Sequence, residues 1–303
     1  MKRKKLLRFF LILLVILCLC ICIGSGIFLV QFYTATKRSE ALTLQVKGPF
    51  SLPELLVQQP VQPEQTDPQP QESQSAPIPG QTPSSQTPVF QPLEETAVEP
   101  PVDFETLQAL NPDIYAWLEI PGTDIDEPIL QSSEDDLYYN SHGVDGKYFL
   151  CGAVFSQASY NSRDFDAPMT VLYGHNTVFG QAGAFMQLNN YADALFFDEH
   201  DTFYVYTPES ILVYRVFAAY VHSNEHLMEC YNFKNDSTFT WFFDYVQKYA
   251  GLYSVFDPDR LPQVGDRVLT LSTCFTRNFS QRFLVQAVLE SEYPITSGIP
   301  EGQ

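Results

Sequence analysis

The chain has 303 residues, of which 36 are acidic and 17 basic, and its formal net charge at pH 7 is −19. Such an acidic surface would be repelled by the phosphate backbone of a nucleic acid, and no basic stripe offsets it, so nucleic-acid binding is not expected. The basic residues are unevenly placed, because five of them precede residue 9 and no acidic residue does. The rest of the chain is therefore more acidic still.

The N-terminus predicts a membrane anchor. An almost unbroken apolar run over residues 9–33 follows five basic residues, Lys2, Arg3, Lys4, Lys5 and Arg8. At about 1.5 Å per residue the run is long enough to cross a bilayer core of roughly 30 Å. Basic residues before it place residues 1–8 in the cytoplasm, and no small-residue cleavage site follows. We therefore expect an uncleaved single-pass signal anchor in the cell membrane, with the rest of the chain outside; a cleaved signal peptide is the alternative.

Residues 34–101 are predicted to connect this anchor to a folded domain. Within them, residues 51–101 consist mainly of Pro, Gln, Ser, Thr and Glu, with few aromatic residues. That composition cannot bury enough apolar surface to offset the entropy lost on ordering, so we predict a linker that proline stiffens. Residues 102–303 then have the normal size of one domain with its own core.

The folded domain is predicted to be mostly β with a few helices. Strand-like apolar runs recur at residues 116–120, 152–156, 169–173, 203–207, 211–222, 267–273 and 282–290. On this pattern alone, a sandwich and a closed barrel are equally good interpretations.

One amphipathic helix is predicted over residues 237–250. Its apolar side chains recur at three- and four-residue steps, at Phe239, Phe242, Phe243, Val246 and Tyr249. Asp236 or Ser237 is the expected N-cap. Gly251 stands where glycine commonly ends a helix.

The six cysteines fall into two groups. Three lie in the apolar N-terminal run, where they behave as small apolar residues: Cys18, Cys20 and Cys22. The other three are Cys151, Cys230 and Cys274, and an odd number outside the cell leaves at least one thiol unpaired. A disulfide between Cys151 and Cys230 is possible.

Three chemically useful side chains stand at the ends of otherwise apolar strands. Cys274 ends the strand-like run 270–274, Arg282 opens the next run, and His175 follows the run 169–173. A thiol can act as a nucleophile, a guanidinium can stabilise an oxyanion, and an imidazole can transfer protons. Their common position at strand ends indicates one site.

These residues and their neighbours resemble the signature of the sortases, cysteine transpeptidases that attach proteins to Gram-positive cell walls. The resemblance rests on Leu172-Tyr173-Gly174-His175-Asn176, on Thr270-Leu271-Ser272-Thr273-Cys274 and on Arg282. Residues 111–118 and 125–131 resemble the opening of class B members, and the helix at 237–250 resembles their long insertion. The resemblance covers residues 103–290 and implies a closed eight-stranded sortase-type β-barrel. Phe275 and Glu127 depart from the class B pattern, which bears on substrate and subclass.

The resemblance also implies a role for each site residue. Cys274 would form a thioacyl enzyme, and His175 would protonate the leaving amine and later deprotonate the incoming one. Arg282 would stabilise the oxyanion; we prefer it to Arg277 because Arg282 starts an apolar run, whereas Arg277 lies in mid-loop. Ser272 and Thr273 would line the substrate groove. With a thiol nucleophile, no metal and no cofactor has an obligatory role.

The partners that the resemblance implies are surface proteins or pilins that carry a C-terminal sorting signal of the Asn-Pro-x-Thr-x type. The acceptor would be an amine on a cell-wall precursor or on a pilin. The sequence does not decide between wall anchoring and pilus polymerisation.

Two functions of other classes are alternatives. His222-x-x-Glu225-His226 matches the inverted zinc motif of a metallopeptidase, which requires both histidines on one helical face. The preceding residues 211–221 have a strand pattern instead, so we expect the motif to follow a strand end. A non-enzymatic wall-associated binding module would also suit an acidic domain on a stalk, but it does not explain why Cys274, His175 and Arg282 all stand at strand ends.

Overall fold

The computed structural model describes residues 2–46 and 102–295. Helix α1 (Lys2–Val46) contains a segment, Phe10–Arg38, with a mean hydropathy of 3.0, which is long and apolar enough to cross a membrane. The predicted apolar run 9–33 falls almost entirely within this segment. The predicted linker at 51–101 lies outside the described residues.

The second described part contains four α-helices, eleven strands and three 3-10 helices, at Tyr138–Asn140, Met186–Ala192 and Pro258–Arg260. The helices are α2 (Phe104–Leu110), α3 (Ala194–Glu199), α4 (Leu227–Cys230) and α5 (Asp236–Tyr249). The first six strands are β1 (Ile114–Glu119), β2 (Asp126–Leu130), β3 (Val154–Phe155), β4 (Met169–Tyr173), β5 (Thr177–Val178) and β6 (Gln181–Ala182). The remaining five are β7 (Thr202–Tyr206), β8 (Ser210–His222), β9 (Val255–Phe256), β10 (Val268–Phe275) and β11 (Asn278–Pro294).

Eight of these strands close into a barrel. The order around it is β11, β10, β4, β3, β2, β1, β7 and β8, and β8 pairs in turn with β11. The β2–β3 and β4–β10 pairs are parallel and the other pairs antiparallel. Strand β9 adds to β8 beside the barrel, and β5 and β6 form a separate hairpin. The predicted closed eight-stranded barrel is therefore confirmed.

Alternation along the strands separates the barrel interior from its outer face. On β10, Leu269 and Leu271 belong to the interior core, and on β11 so do Phe283 and Val285. Because successive strand residues point to opposite faces, Ser272, Cys274 and Arg282 lie on the outer face. The barrel thus presents its chemically useful side chains outward.

Helix α5 covers part of this outer face. Phe239, Phe242, Phe243 and Val246 pack in one cluster with Phe217 and Tyr220 of β8. The helix matches the prediction within one residue at each end, but its N-cap is Asn235, whose side chain accepts a hydrogen bond from the Thr238 amide. Tyr249, predicted on the apolar face, is instead exposed, in line with Trp241 and Tyr245.

Strand boundaries differ from the predictions in two instructive places. Strand β2 is not among the predicted strands, because Glu127 and Pro128 interrupt its apolar pattern. Strand β11 runs to Pro294, beyond the predicted end at residue 290, because its polar second half still pairs with the start of β8.

Candidate active site

The candidate nucleophile and the candidate oxyanion stabiliser are cross-strand neighbours. Cys274 pairs with Arg282 across the β10–β11 hairpin, immediately before an irregularity in the register. A guanidinium nitrogen, Nη1 of Arg282, donates to Sγ of Cys274 at 3.1 Å. A permanently charged donor at this distance stabilises a thiolate more than a neutral thiol. Cys274 is partly exposed, so a substrate can reach it.

The row of paired residues continues onto a third strand. Arg282 also pairs with His222, the last residue of β8. Burial lowers the pKa of the His222 imidazole, so this ring is neutral near pH 7. Its Nδ1 donates to the backbone carbonyl of Ser223, which leaves Nε2 without a hydrogen. Arg282 is therefore flanked by sulfur on one side and by a neutral ring on the other.

Cys274 and Arg282 line a groove with a volume of about 210 Å³. Its walls come from the ends of β4, β8, β10 and β11 and from the segments at residues 137–140 and 222–227. Tyr173 and Ser272, which pair between β4 and β10, line one side. Burial raises the pKa of the Tyr173 phenol well above its ordinary value, despite the opposing charge of Arg282, so this wall is uncharged.

His175 enters the same groove from the end of β4. The Gly174 amide donates to the carbonyl of Ser272 at 3.2 Å, which holds the start of the His175 loop against β10. The ring nitrogen Nε2 of His175 lies 2.9 Å from the backbone carbonyl of Asn140. Because a carbonyl only accepts, Nε2 carries the hydrogen and Nδ1 carries the lone pair of the neutral ring. This contact fixes the tautomer that can take up a proton through Nδ1.

Two glycines make the turn of the His175 loop possible. A Cβ at Gly183 would collide with the carbonyl of His175, and one at Gly174 would lie 2.7 Å from the ring of Phe185. A side chain at either position would have to displace the loop that carries His175.

Two asparagines hold the end of β10 in place through hydrogen bonds. Their roles were not predicted from the sequence. Nδ2 of Asn176 donates to the carbonyl of Cys274 and to Oγ1 of Thr276, both at 2.8 Å. Nδ2 of Asn189 donates to the same carbonyl at 3.2 Å, and its Oδ1 accepts from the Thr276 amide. Asn176 stands in the motif around His175 and so carried a signal, whereas nothing in the sequence marks Asn189.

The other predicted site residues occupy different surroundings. The guanidinium of Arg277 stacks over the ring of Tyr253 at 4.6 Å, while Arg282 lies against the sulfur. Ser272 shares the outer face with Cys274. Thr273 shares the inner face of β10 with the core residues Leu271 and Phe275, it is 2% exposed, and its Oγ1 has no hydrogen-bond partner among the described residues. Thr273 therefore lines the groove with its backbone atoms only.

The zinc motif does not assemble as a metallopeptidase requires. His222 ends a strand, and His226 caps the four-residue helix α4, so the two histidines do not share a helical face. Nδ1 of His226 accepts from the Glu229 amide, and Nε2 lies 2.7 Å from Oε1 of Gln157, so this ring has no lone pair free for a metal. Within residues 2–46 and 102–295, no three His, Cys, Asp or Glu side chains are grouped to hold an ion.

Cys151 and Cys230 are both free, one buried and one exposed.

The known proteins that this chain resembles belong to one family. A family model described as the Sortase domain matches residues 118–290. Sortase B of Listeria monocytogenes is 33% identical over 174 residues, which are 57% of this chain and 68% of that protein. Sortase B of Staphylococcus aureus is 28% identical over 171 residues, 56% of this chain and 67% of that protein.

Solved structures give the same result. Sortase B of Bacillus anthracis superposes with a TM-score of 0.53 at 28% identity, covering 65% of this chain and 88% of that one. A Streptococcus pyogenes class B sortase involved in pilus biogenesis also gives 0.53 at 28% identity, covering 62% of this chain and 98% of that one.

Proposed function

Because this chain belongs to the sortase family and is a cysteine transpeptidase of class B, we propose that it cleaves a C-terminal sorting signal through a thioacyl enzyme on Cys274. Sortases act at the cell surface in cell-wall sorting, and the enzyme class follows from the family. The sequence of the signal, the residues that act on it and the acceptor are the content of the proposal.

The observation that carries it is the 3.1 Å hydrogen bond from Arg282 to the sulfur of Cys274 in an open groove that His175 also lines. A structural cysteine in a barrel would face the core, whereas Cys274 faces outward beside a permanent cation. Such surroundings are those of a reactive thiolate.

In the first half-reaction, the sulfur of Cys274 attacks the carbonyl carbon of the threonine in an Asn-Pro-x-Thr-x signal. A C–S bond forms, the carbonyl electrons move to oxygen, and Arg282 donates a hydrogen bond to that oxyanion. Collapse of the intermediate breaks the C–N bond. Protonated His175 gives its Nδ1 proton to the departing amine, while Nε2–H stays on the Asn140 carbonyl.

In the second half-reaction, an acceptor amine attacks the thioester carbon. The C–N bond forms, the C–S bond breaks, and the sulfur of Cys274 leaves as a thiolate beside Arg282. Nδ1 of His175 takes the proton that the amine loses, which restores the starting state. The cycle needs no oxidant and no metal.

We assign the remaining parts of the chain by the same reasoning. Helix α1 holds the enzyme at the membrane through its apolar segment, with residues 1–8 in the cytoplasm, residues 9–33 in the bilayer and residues 34–101 as the connection to the catalytic domain at 102–303. The supports are the length and hydropathy of Phe10–Arg38 and the basic residues before it.

The test is cleavage of a peptide that contains Asn-Pro-x-Thr between a fluorophore and a quencher. We expect cleavage by the wild-type protein to be abolished by a thiol reagent and unchanged in excess EDTA. Inhibition by EDTA that zinc reverses would instead support a metallopeptidase, and no cleavage under any condition would support a binding module.

A further inference from the structure

A second cavity adjoins the groove of Cys274 on the side of helix α5. Its volume is about 470 Å³, and it lies between the end of β8 and the outward side of the helix. Its lining includes five tyrosine and tryptophan rings, those of Tyr220, Tyr231, Trp241, Tyr245 and Tyr249. None of the steps proposed above uses it.

The exposed side of α5 carries a column of aromatic rings. Trp241, Tyr245 and Tyr249 follow one another at four-residue steps, with ring centroids 5.0 and 4.8 Å apart. They are 50%, 45% and 61% exposed, although the opposite side of the same helix supplies its packing against β8. Large aromatic rings with one polar end are typical of binding surfaces, and the core packing of this helix does not require them here.

His222 and Glu225 join the two cavities, because each lines both. Glu225 is exposed, and its Oε2 accepts a hydrogen bond from the Ser223 hydroxyl at 3.0 Å. It forms no ion pair with any residue in the described part of the chain. His222 is neutral because burial lowers its pKa. The junction between the cavities therefore carries one carboxylate that no described residue holds in an ion pair, and this carboxylate lines the same groove as Cys274.

A transpeptidase must bring a second substrate to the thioester while the first fills the groove. We propose that the aromatic cavity binds the amine-bearing peptide acceptor of the cell wall, with Glu225 drawing the ammonium group toward Cys274 and with Trp241 and Tyr245 packing against the acceptor. This inference rests on the proposed function and adds to it a site for the acceptor.

The chemistry of the cavity suits a cation on a flexible chain. A carboxylate attracts an ammonium group, and aromatic faces attract it further through their quadrupole. Lys248 already places its own ammonium group 5.3 Å from the centre of the Tyr249 ring. Trp241 and Tyr245 are therefore the rings of the column that we assign to the acceptor.

The test compares two nucleophiles of different size on the same thioacyl enzyme. Triglycine represents the peptide acceptor, and hydroxylamine is small enough to reach the thioester without a binding site. We expect the ratio of triglycine to hydroxylamine aminolysis to fall about tenfold in a Trp241→Ala/Tyr245→Ala variant, since two aromatic contacts are lost. Glu225→Gln, which keeps the side-chain shape, should lower the ratio several-fold at low salt and less at high salt.

Tyr293→Ala is the matched control, because Tyr293 is an exposed tyrosine near the end of β11, paired with the start of β8 rather than its end. Its ratio should equal that of the wild type. If both cavity variants form the thioacyl enzyme but keep the wild-type ratio, the acceptor site is overturned and the proposed function stands. A wild-type protein that forms no thioacyl enzyme overturns the proposed function and the acceptor site together.

Discussion

Arg282 and Cys274 face each other across the β10–β11 hairpin, with a guanidinium nitrogen 3.1 Å from the sulfur. Lysine at position 282 would keep the charge but lose the planar fork of donors that serves sulfur and oxyanion in turn. We expect Arg282→Lys to lower kcat/KM for signal cleavage by about 10²–10³, the usual effect of removing an oxyanion donor, with little change in melting temperature.

Arg277→Lys is the matched control for this change, because Arg277 lies on the same hairpin but stacks on Tyr253. Its kcat/KM should stay close to that of the wild type. If Arg277→Lys proves the damaging change and Arg282→Lys the mild one, the assignment of the oxyanion stabiliser is wrong.

The imidazole of His175 is held by the backbone carbonyl of Asn140. Glutamine at position 175 can still donate to that carbonyl but cannot transfer a proton. We therefore expect His175→Gln to lower the single-turnover rate of thioacyl formation by about 10²–10⁴. His200→Gln, at the end of α3, should have no such effect, and a mild loss in His175→Gln would place the acid–base group elsewhere.

Asn176 is a positioning residue, since it touches the backbone of Cys274 and not the reacting atoms. Its side chain is buried, so Asn176→Ala leaves the hydrogen bond to Thr276 unmade and weakens the support of the Cys274 carbonyl. We expect the free energy of unfolding to fall by about 1–3 kcal/mol and kcat to fall while KM changes little. Asn190 is exposed and follows Asn189 in the chain, so Asn190→Ala should change neither the free energy of unfolding nor kcat. An unchanged kcat in Asn176→Ala would show that the hydrogen bonds of Asn176 are not needed for catalysis.

The raised pKa of Glu127 predicts an unusual dependence of the free energy of unfolding on pH. Glu127 stands on β2 between the core residues Ile125 and Ile129, so its half-buried side chain lies on the interior face of the strand, and burial raises its pKa to about 7. Because the folded-state pKa is raised above that of the unfolded chain, the proton stabilises the fold at acidic pH. That contribution is lost as the pH rises through about 7.

Glutamine at position 127 cannot ionise, so Glu127→Gln should be more stable than the wild type at pH 8, on the order of 2 kcal/mol, with the difference shrinking toward pH 5. Urea unfolding at the two pH values measures this. Glu105→Gln, on the exposed side of α2, should show no such change. Equal urea midpoints of Glu127→Gln and wild type at pH 8 would contradict the interior position of the carboxyl group.

Local patterns were sufficient to predict that Cys274, His175 and Arg282 lie in one groove, because each stands at one end of an apolar run, although β11 itself already begins at Asn278. The same alternation distinguishes Ser272 from Thr273: the serine shares the face of Cys274, and the threonine points into the barrel. Strand β2 was not predicted because one carboxylate and one proline interrupt its apolar pattern.

What the sequence could not supply is long-range pairing. The β8–β11 pairing that closes the barrel also brings His222 beside Arg282, across about sixty residues of chain. Asn140 and Asn189 reach the site from short 3-10 helices whose positions depend on the closed barrel. Pattern alone therefore left barrel and sandwich undecided, and it gave no indication of the second cavity.

The covalent intermediate tests the central claim most directly. Mass spectrometry of the protein after incubation with an Asn-Pro-x-Thr-x peptide should show one added acyl group, located at Cys274 by fragmentation and released by hydroxylamine. Cys274→Ala should stay folded, carry no added mass and neither hydrolyse nor transfer the peptide. An acyl group on any other residue, or cleavage retained in Cys274→Ala, would contradict the mechanism proposed for this enzyme.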